Sequence, residues 1–437
     1  MFFYLIIFFI NTISSYGIVL GVIWFLAYIS FLVFKSPHFF LSFSYFIIYL
    51  ISSIIGVYII ETQEIYLKEL AVFGFSNGSI WLILFMNFFA IQTFYFFYEK
   101  NNIEHDLFYP SFRISNYKVL ILKILNIIYF ALIMISFLRV IRYPAVFLGI
   151  DRFIYNRMYL SGIWQKINML LLVLVPLASV GFMITKKRKY LLNILFLFIY
   201  LFWIGNKFGN YIIVSYWLLI PFIQIVSKKN IKKLFLVGIV FLVGLMGIIN
   251  LQSSLIYHRE DHSTYYEQRI AQQGQMWWSI YSYKELNSNK DYLSELSDET
   301  KMYFVIGDGD KEEFNYGIYK MMRLVTPSNI FNSRIYDTNS RYAFSSQASI
   351  YYYFNKIGLF LYTIIMSAMY IFIFRGYLNS VKGVDFVGII IYTRLFLKFN
   401  PAFFQSDFDQ IFSVETLGLL LVLGILYVLK KVGVKRL

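Results

Sequence analysis

Apolar runs long enough to cross a bilayer as a helix, about 20 residues each, recur along the whole of this 437-residue chain. They fall at roughly 14–34, 38–60, 75–98, 119–138, 167–185, 190–204, 208–226, 234–250, 356–374, 384–399 and 411–429. A water-soluble fold does not carry that much apolar length. Charged residues make up 14% of the chain, against about 25% in soluble domains, and mean hydropathy is +0.63. The ten-residue alternation of a membrane β-barrel is absent. The expected fold is an all-α polytopic membrane protein, one integral domain over 1–437. Residues 2–34 are too long for one upright helix, and Asn11 to Ser15 form a polar break. Eleven spans result if 2–13 lies in the interface, twelve if it crosses. Met1 to Ile10 has neither a basic n-region nor a small-residue cleavage site, so no cleavable signal peptide is expected.

Basic clusters orient the runs. If each run crosses once, Lys186-Lys187-Arg188-Lys189, Lys228-Lys229, Lys232-Lys233 and the tail Lys430, Lys431, Lys435, Arg436 share one side with Lys35, Arg113, Lys118, Arg375 and Lys382. The positive-inside rule makes that side the cytoplasm. The C-terminus is then inside, and 61–74, 139–166, 205–207, 251–355 and 400–410 are outside. The expected location is a membrane crossed many times, with 251–355 on its non-cytoplasmic side. The net charge of +15 is not a nucleic-acid signal. Residues 251–355 hold ten Lys/Arg and thirteen Asp/Glu, so the basic surplus lies in short loops between spans. That surplus reflects topology and phospholipid contact; membrane lipids are expected partners and nucleic acid is not. There is no cysteine, hence no disulfide and no thiolate chemistry.

The long polar insertion 251–355 sets this chain apart from a simple anchor or channel, and it suits an enzyme working at the membrane surface. Within it, Arg259, His262, Tyr266, Arg269, Gln273 and Trp277 are spaced by 3, 4, 3, 4 and 4, which places them on one helical face over 258–283. Such a face suits carbohydrate: aromatic rings stack on sugar CH faces while Gln273, Gln275 and the arginines hold polar groups. It equally suits an interfacial amphipathic helix. Gly274 weakens a helix by about 1 kcal/mol relative to Ala, so a close approach is expected there. Gly307 to Asp310 reads as a turn. His258 and His262 are four apart without a third ligand in view, and no metal site is expected.

Four further groups carry possible chemistry. The first is the outer loop 139–166, with Arg139, Arg142, Arg152, Arg157 and Lys166 against the single acid Asp151. Basic residues avoid short outer loops, so an anionic ligand is indicated, since guanidinium binds phosphate bidentately at any physiological pH. Contact with anionic headgroups is the plainer reading. The second is Gly205-Asn206-Lys207-Phe208-Gly209, which joins two runs with almost no loop. A lysine at that depth is costly and usually functional, although it can snorkel to water. The third is Arg323, Arg334 and Arg341, in a stretch rich in Asn, Ser and Tyr. The fourth is Arg394 and Lys398 inside a run, followed by Asp407-Phe408-Asp409. Glu61 and Glu64 in the first outer loop form an acidic pair of the kind that serves monophosphate-donor glycosyltransferases; a solvated surface pair is the simpler reading. No P-loop, H-E-x-x-H or G-x-S-x-G motif occurs.

The layout resembles the Wzy-like repeat-unit polymerases of bacterial O-antigen, capsule and exopolysaccharide, relatives of the O-antigen ligases. The likeness lies in the span number, the arginine-rich outer loop before the middle spans and one dominant late outer loop. Locally it lies in Gly205 to Gly209 and in Arg269-Ile270-Ala271-Gln272-Gln273-Gly274-Gln275-Met276-Trp277-Trp278. The arginine–glycine spacing that some members share is absent from both loops. The resemblance implies a glycosyltransferase of GT-C-like architecture that needs no metal or other cofactor. Its substrate would be oligosaccharide on polyprenyl diphosphate. Arg142, Arg152, Arg157, Lys207, Arg259, Arg269, Arg323 and Arg341 would face the diphosphate. Tyr266, Gln273, Gln275, Trp277 and Trp278 would hold sugar, and Glu267 or His258 would act as base. A flippase and a chain-length regulator would be partners. The alternatives are a lipid-linked oligosaccharide flippase, an O-antigen ligase, and a monophosphate-donor enzyme using Glu61 or Glu64.

Overall fold

The computed structural model describes residues 17–101, 103, 115–206, 208–223, 238, 240, 243–248, 250–252, 254–255, 263–287, 292–303, 315–338, 340–343 and 346–431. The N-terminal stretch 2–13, Lys207, His258, Arg259, His262 and the turn at Gly307 to Asp310 lie outside the described residues. Where described, the chain is helical apart from one short hairpin, β1 (Tyr66–Leu67) paired antiparallel with β2 (Val72–Phe73).

Among the described residues, seven helices are long and apolar enough to cross a membrane. They are α1 (Gly17–Lys35), α2 (Pro37–Gln63), α3 (Ser79–Lys100), α4 (Asn116–Val140), α7 (Ile163–Thr185), α15 (Ser346–Gly383) and α16 (Phe386–Gln405). Shorter apolar helices occupy the other four runs: α8 (Lys189–Trp203), α9 (Phe208–Ile223), a segment at Val243–Gln252, and α18 (Val414–Lys431). The chain is thus an all-α polytopic membrane protein. The outward faces fit a lipid solvent. On α4, Ile127 and Leu138 are each 65% exposed, and Leu120, Ile124, Ile128 and Ile135 are exposed beside them, an apolar surface that water would penalise.

The helices pack as two groups. One holds α1, α2, α3, α15 and α16; the other holds α4, α7, α8 and α9. Contacts of α2 with α9 and of α7 with α16 join them, and α7 is the most buried of the seven. An aromatic cluster fills the seam, with Tyr216 stacked on Phe396 at 5.5 Å and Trp217 edge-on to Phe396 at 5.0 Å. Buried amides tie neighbouring helices together. Asn87 donates to the Leu50 carbonyl and to Ser53, and Gln347 donates to Asn87. Such polar bonds act as interhelical glue where lipid supplies no hydrophobic drive.

The larger connecting segments share one end of the bundle, here called the loop face. They include α5 (Ala145–Leu148) and α6 (Arg152–Tyr159), then α10 (Ser263–Ala271), α11 (Gln275–Leu286), α12 (Tyr292–Tyr303), α13 (Gly317–Val325) and α14 (Ser328–Asn332). A π-helical turn at Ser333–Thr338 and the short α17 (Asp409–Phe412) complete the cap. The insertion does not end where the apolar run begins. Helix α15 starts at Ser346 and bends at Asn355, whose φ is 58°. That bend removes the intrahelical partners of the Tyr351 and Tyr352 carbonyls. The Lys284 ammonium takes both, at 2.5 and 2.7 Å.

Candidate functional site

The face expected over 258–283 is broken. After α10 the chain turns through Gln272 to Gly274 and restarts as α11, so Arg269 and Trp277 belong to different helices. The close approach expected at Gly274 is present. A Cβ there would lie 2.3 Å from the Val57 amide nitrogen, and a Cβ on Gly56 would lie 2.6 Å from the Gly274 nitrogen. Two glycines allow this turn to sit directly on the α2 backbone.

That seating buries the residues expected to hold sugar. Trp277 and Trp278 are each 2% exposed, and their indole N–H groups donate to the Ser79 and Phe75 carbonyls at 3.1 and 2.9 Å. Gln275 is 1% exposed and donates to Glu69. These three offer no free face to a ligand; aromatic bulk and amide geometry here close the joint between loop and bundle. Gln273 donates to the Arg269 carbonyl, and Tyr266 donates to Asn250. Arg269 holds Gln272 at 2.9 Å. Glu267 is exposed on α10. The signal that misled the sequence reading is general: Trp and Gln beside glycine describe tight packing as well as they describe a sugar cleft.

A buried carboxylate in the first loop, unremarked in the sequence, organises the joint. Glu69 is 5% exposed and accepts from Gln272 at 3.0 Å and from Gln275, and it forms an ion pair with Arg334 at 2.6 Å. Its backbone carbonyl accepts from Tyr342 at 2.7 Å. Of the acidic pair Glu61 and Glu64, Glu64 is exposed, whereas Glu61, in the last turn of α2, has a structural task. Glu61 is buried and accepts from Ser79 Oγ at 2.7 Å and from the Ile80 amide at 3.0 Å, capping the start of α3. A carboxylate at a helix N-terminus is stabilised by the orphan N–H groups and the dipole. Capping occupies Glu61, so it is neither a solvated surface acid nor a free base.

The other loop arginines are engaged. Arg341 pairs with Asp407 and lies 4.9 Å from the Tyr319 ring centroid. Burial, opposed by Arg341 and reinforced by Asp409, pushes the Asp407 carboxyl up to about 6. Arg323 covers the Phe331 ring at 5.3 Å. Arg394 and Lys398 both meet Glu415, at 2.5 and 2.8 Å. Among the described residues, no three His, Asp or Glu side chains cluster as metal ligands.

The arginine-rich loop presents a different picture. Its one acid, Asp151, caps α6 by accepting from the Phe153 amide at 2.9 Å. Arg139, Arg142, Arg157 and Lys166 are exposed, and Arg152 is half-buried beside the Phe153 ring. Arg157 donates to the Tyr336 carbonyl at 3.1 Å. That bond links the loop to the large insertion, so the two regions singled out in the sequence meet.

Beside α6 lies a cavity of about 210 Å³, lined by Asn156, Gln165, Asn168, Tyr200, Asn206 and Asn210 among leucines, Ile204 and Met169. It sits where α7 begins, α8 ends and α9 begins, at the loop-face end of the bundle. The Gly205 turn forms one wall. Gly205 has φ 70° and lets the chain reverse, and the Asn206 amide then donates to the Leu201 carbonyl at 3.0 Å. Gly209 has open space around its Cβ position. In the sequence Asn156 and Gln165 fall in the arginine-rich loop, Asn206 in the glycine turn, and Asn168 and Asn210 each near the start of an apolar run, so nothing local groups them. Their common signal is position: all lie at the same end of neighbouring helices.

A family of unknown function, DUF6418, matches residues 311–420. That segment carries α13 to α17 with Arg323, Arg334, Arg341 and Asp407. No curated protein and no solved structure matches the chain.

Proposed function

We propose that this protein is a glycosyltransferase of the outer face of a bacterial cytoplasmic membrane, joining polyprenyl-diphosphate-linked oligosaccharide repeat units into a surface polysaccharide. One observation carries the reading: an arginine-rich loop, tied to the large insertion through Arg157 and Tyr336, stands beside an amide-lined cavity at the membrane end of the bundle. The loop face is the outer face in this reading, by the positive-inside rule.

The reaction has three demands. The anomeric carbon of the growing glycan must be held near an acceptor hydroxyl. The acceptor's proton must leave, and the bond to polyprenyl diphosphate must break with both electrons going to the departing oxygen. Arg142, Arg152, Arg157 and Lys207 would stabilise that developing charge without metal, as preorganised cations do. Glu267, exposed on α10, and His258 remain the proposed bases. Arg259 and Arg269 would attract the diphosphate from the insertion, whereas Arg323 and Arg341 serve the reading less well because Phe331 and Asp407 already engage them.

A flippase would need charge along a central path. Among the described residues, Arg394 and Lys398 are neutralised by Glu415, and Lys123 lies on the exposed side of α4. Deleting the gene and running surface polysaccharide on a gel tests the reading. Single repeats without a ladder are expected. Full polymer accumulating on its lipid carrier would identify a ligase instead, and repeats trapped on the cytoplasmic side would identify a flippase.

A further inference from the structure

The cavity beneath α6 has a composition that selects among ligands. At about 210 Å³ it is smaller than the roughly 300–1,000 Å³ that takes a drug-sized molecule whole. It therefore suits one ring-sized group, not a chain of sugars. Among the described residues, no charged side chain lines it, so a bare phosphate would find there few of the cations that make phosphate binding strong. An acyl chain would fit the leucines but would strand the amides, at about 1–3 kcal/mol for each buried polar group left unpaired.

The amides are also held in place. The Tyr200 hydroxyl donates to Asn168 Oδ1 at 2.6 Å, and Asn210 Nδ2 donates to Asn206 Oδ1 at 3.0 Å. These bonds leave Asn168 Nδ2, Asn206 Nδ2 and Asn210 Oδ1 with no partner among the described residues. The cavity thus offers both donors and acceptors, fixed in advance, beside an apolar wall. A sugar ring has that complementary character: hydroxyls that donate and accept around its edge, and CH faces above and below. Arg152 stands four residues before Asn156 on α6, so the two share a face.

We infer that this cavity binds one uncharged sugar ring, with Arg152 at its rim holding a phosphate attached to that ring. Calling the bound group part of a lipid-linked donor rests on the proposed glycosyltransferase reading; ring binding itself does not. A uronic acid is disfavoured, because among the described residues the wall its carboxylate would enter holds amides and no cation. Preorganised amides lose little freedom on binding, which favours affinity from few contacts.

The test uses the full chain in nanodiscs and calorimetric titration with glucose 1-phosphate, N-acetylglucosamine 1-phosphate, glucuronic acid 1-phosphate, free glucose and inorganic phosphate. The two uncharged-ring phosphates should bind saturably, more tightly than glucuronic acid 1-phosphate or inorganic phosphate. Asn168→Leu and Asn210→Leu should each weaken them about 3- to 10-fold, the worth of one hydrogen bond. Arg152→Ala should weaken the sugar phosphates but not free glucose. Gln165 is exposed, so Gln165→Ala gives a second variant that does not threaten folding, and its effect should have the same sign. Equal binding of inorganic phosphate, binding indifferent to all these substitutions, or no saturable binding would overturn the proposal. If the sugar phosphates bind as expected while gene deletion leaves the polysaccharide ladder intact, the cavity assignment stands and the polymerase reading falls.

Discussion

Two regions on the loop face answer the same sequence cue in opposite ways. At the α10–α11 turn, aromatic and amide side chains are consumed by packing: Trp277 and Trp278 spend their N–H groups on backbone carbonyls, and Gln272 and Gln275 serve Glu69. At the ends of α7, α8 and α9, amides surround open space and several of their atoms stay unused. Polar residues with partners build a joint, and polar residues left with spare groups beside a void stay open to a ligand. Residue type alone does not separate the cases, because buried polar groups must be paired in either setting.

The contrast breaks most visibly at Trp277. Trp277→Ala should cost about 3–5 kcal/mol of stability, the range for deleting a buried indole, with collapse of folded yield in detergent. A variant that melts like wild type and merely loses activity would return Trp277 to the substrate. Arg157→Ala should do the reverse, lowering turnover about 10²–10³-fold with a melting temperature close to wild type, since its side chain is exposed. A normal rate at equal expression would remove the arginine loop from the site.

Gly274→Ala sharpens the packing half. The new Cβ would press on the Val57 backbone at 2.3 Å, and overpacking of this kind costs about 1–3 kcal/mol; thermal unfolding reads it directly. An unchanged melt would mean that the α2–α10 crossing is looser than described.

Asp407 gives a dependence on pH. Its folded carboxyl titrates at about 6, above the ordinary 3.8, because burial outweighs Arg341. A raised pKa means the folded state holds the proton more tightly. The contribution is therefore full below about pH 4 and lost as pH rises through about 6. Melting curves across that window should fall for wild type relative to Asp407→Asn; a relative rise would reverse the assignment. The smallest effect is expected at Gly209, where the Cβ position is open. Gly209→Ala should move stability by under about 0.5 kcal/mol and leave turnover intact, separating it from Gly205, whose positive φ the turn requires.

Much of the fold was legible because bilayer thickness imposes it. Seven of the eleven apolar runs are helices of spanning length, with the other four occupied by shorter apolar helices. The close approach at Gly274 was also legible, since glycine inside a helical pattern needs a reason. The break at that glycine was not, because a 3–4 spacing continues through a tight turn without any change in residue type. The start of α15 was misplaced for a related reason. Tyr351 to Phe354 read as loop, yet they are helical, and the boundary seen at Asn355 is the bend that Lys284 stabilises. The amide cavity was invisible because Asn156, Asn168, Asn206 and Asn210 come from three separate helices and one turn. Only their shared height in the bundle assembles them.

The most direct measurement is a reconstituted reaction. Purified protein in nanodiscs is given lipid-linked repeat units, and products are resolved by length for wild type, Arg152→Ala and Asn168→Leu. The proposed reading expects a ladder from wild type, almost none from Arg152→Ala, and a reduced one from Asn168→Leu. No elongation by folded wild-type protein, or equal ladders from all three, would contradict it.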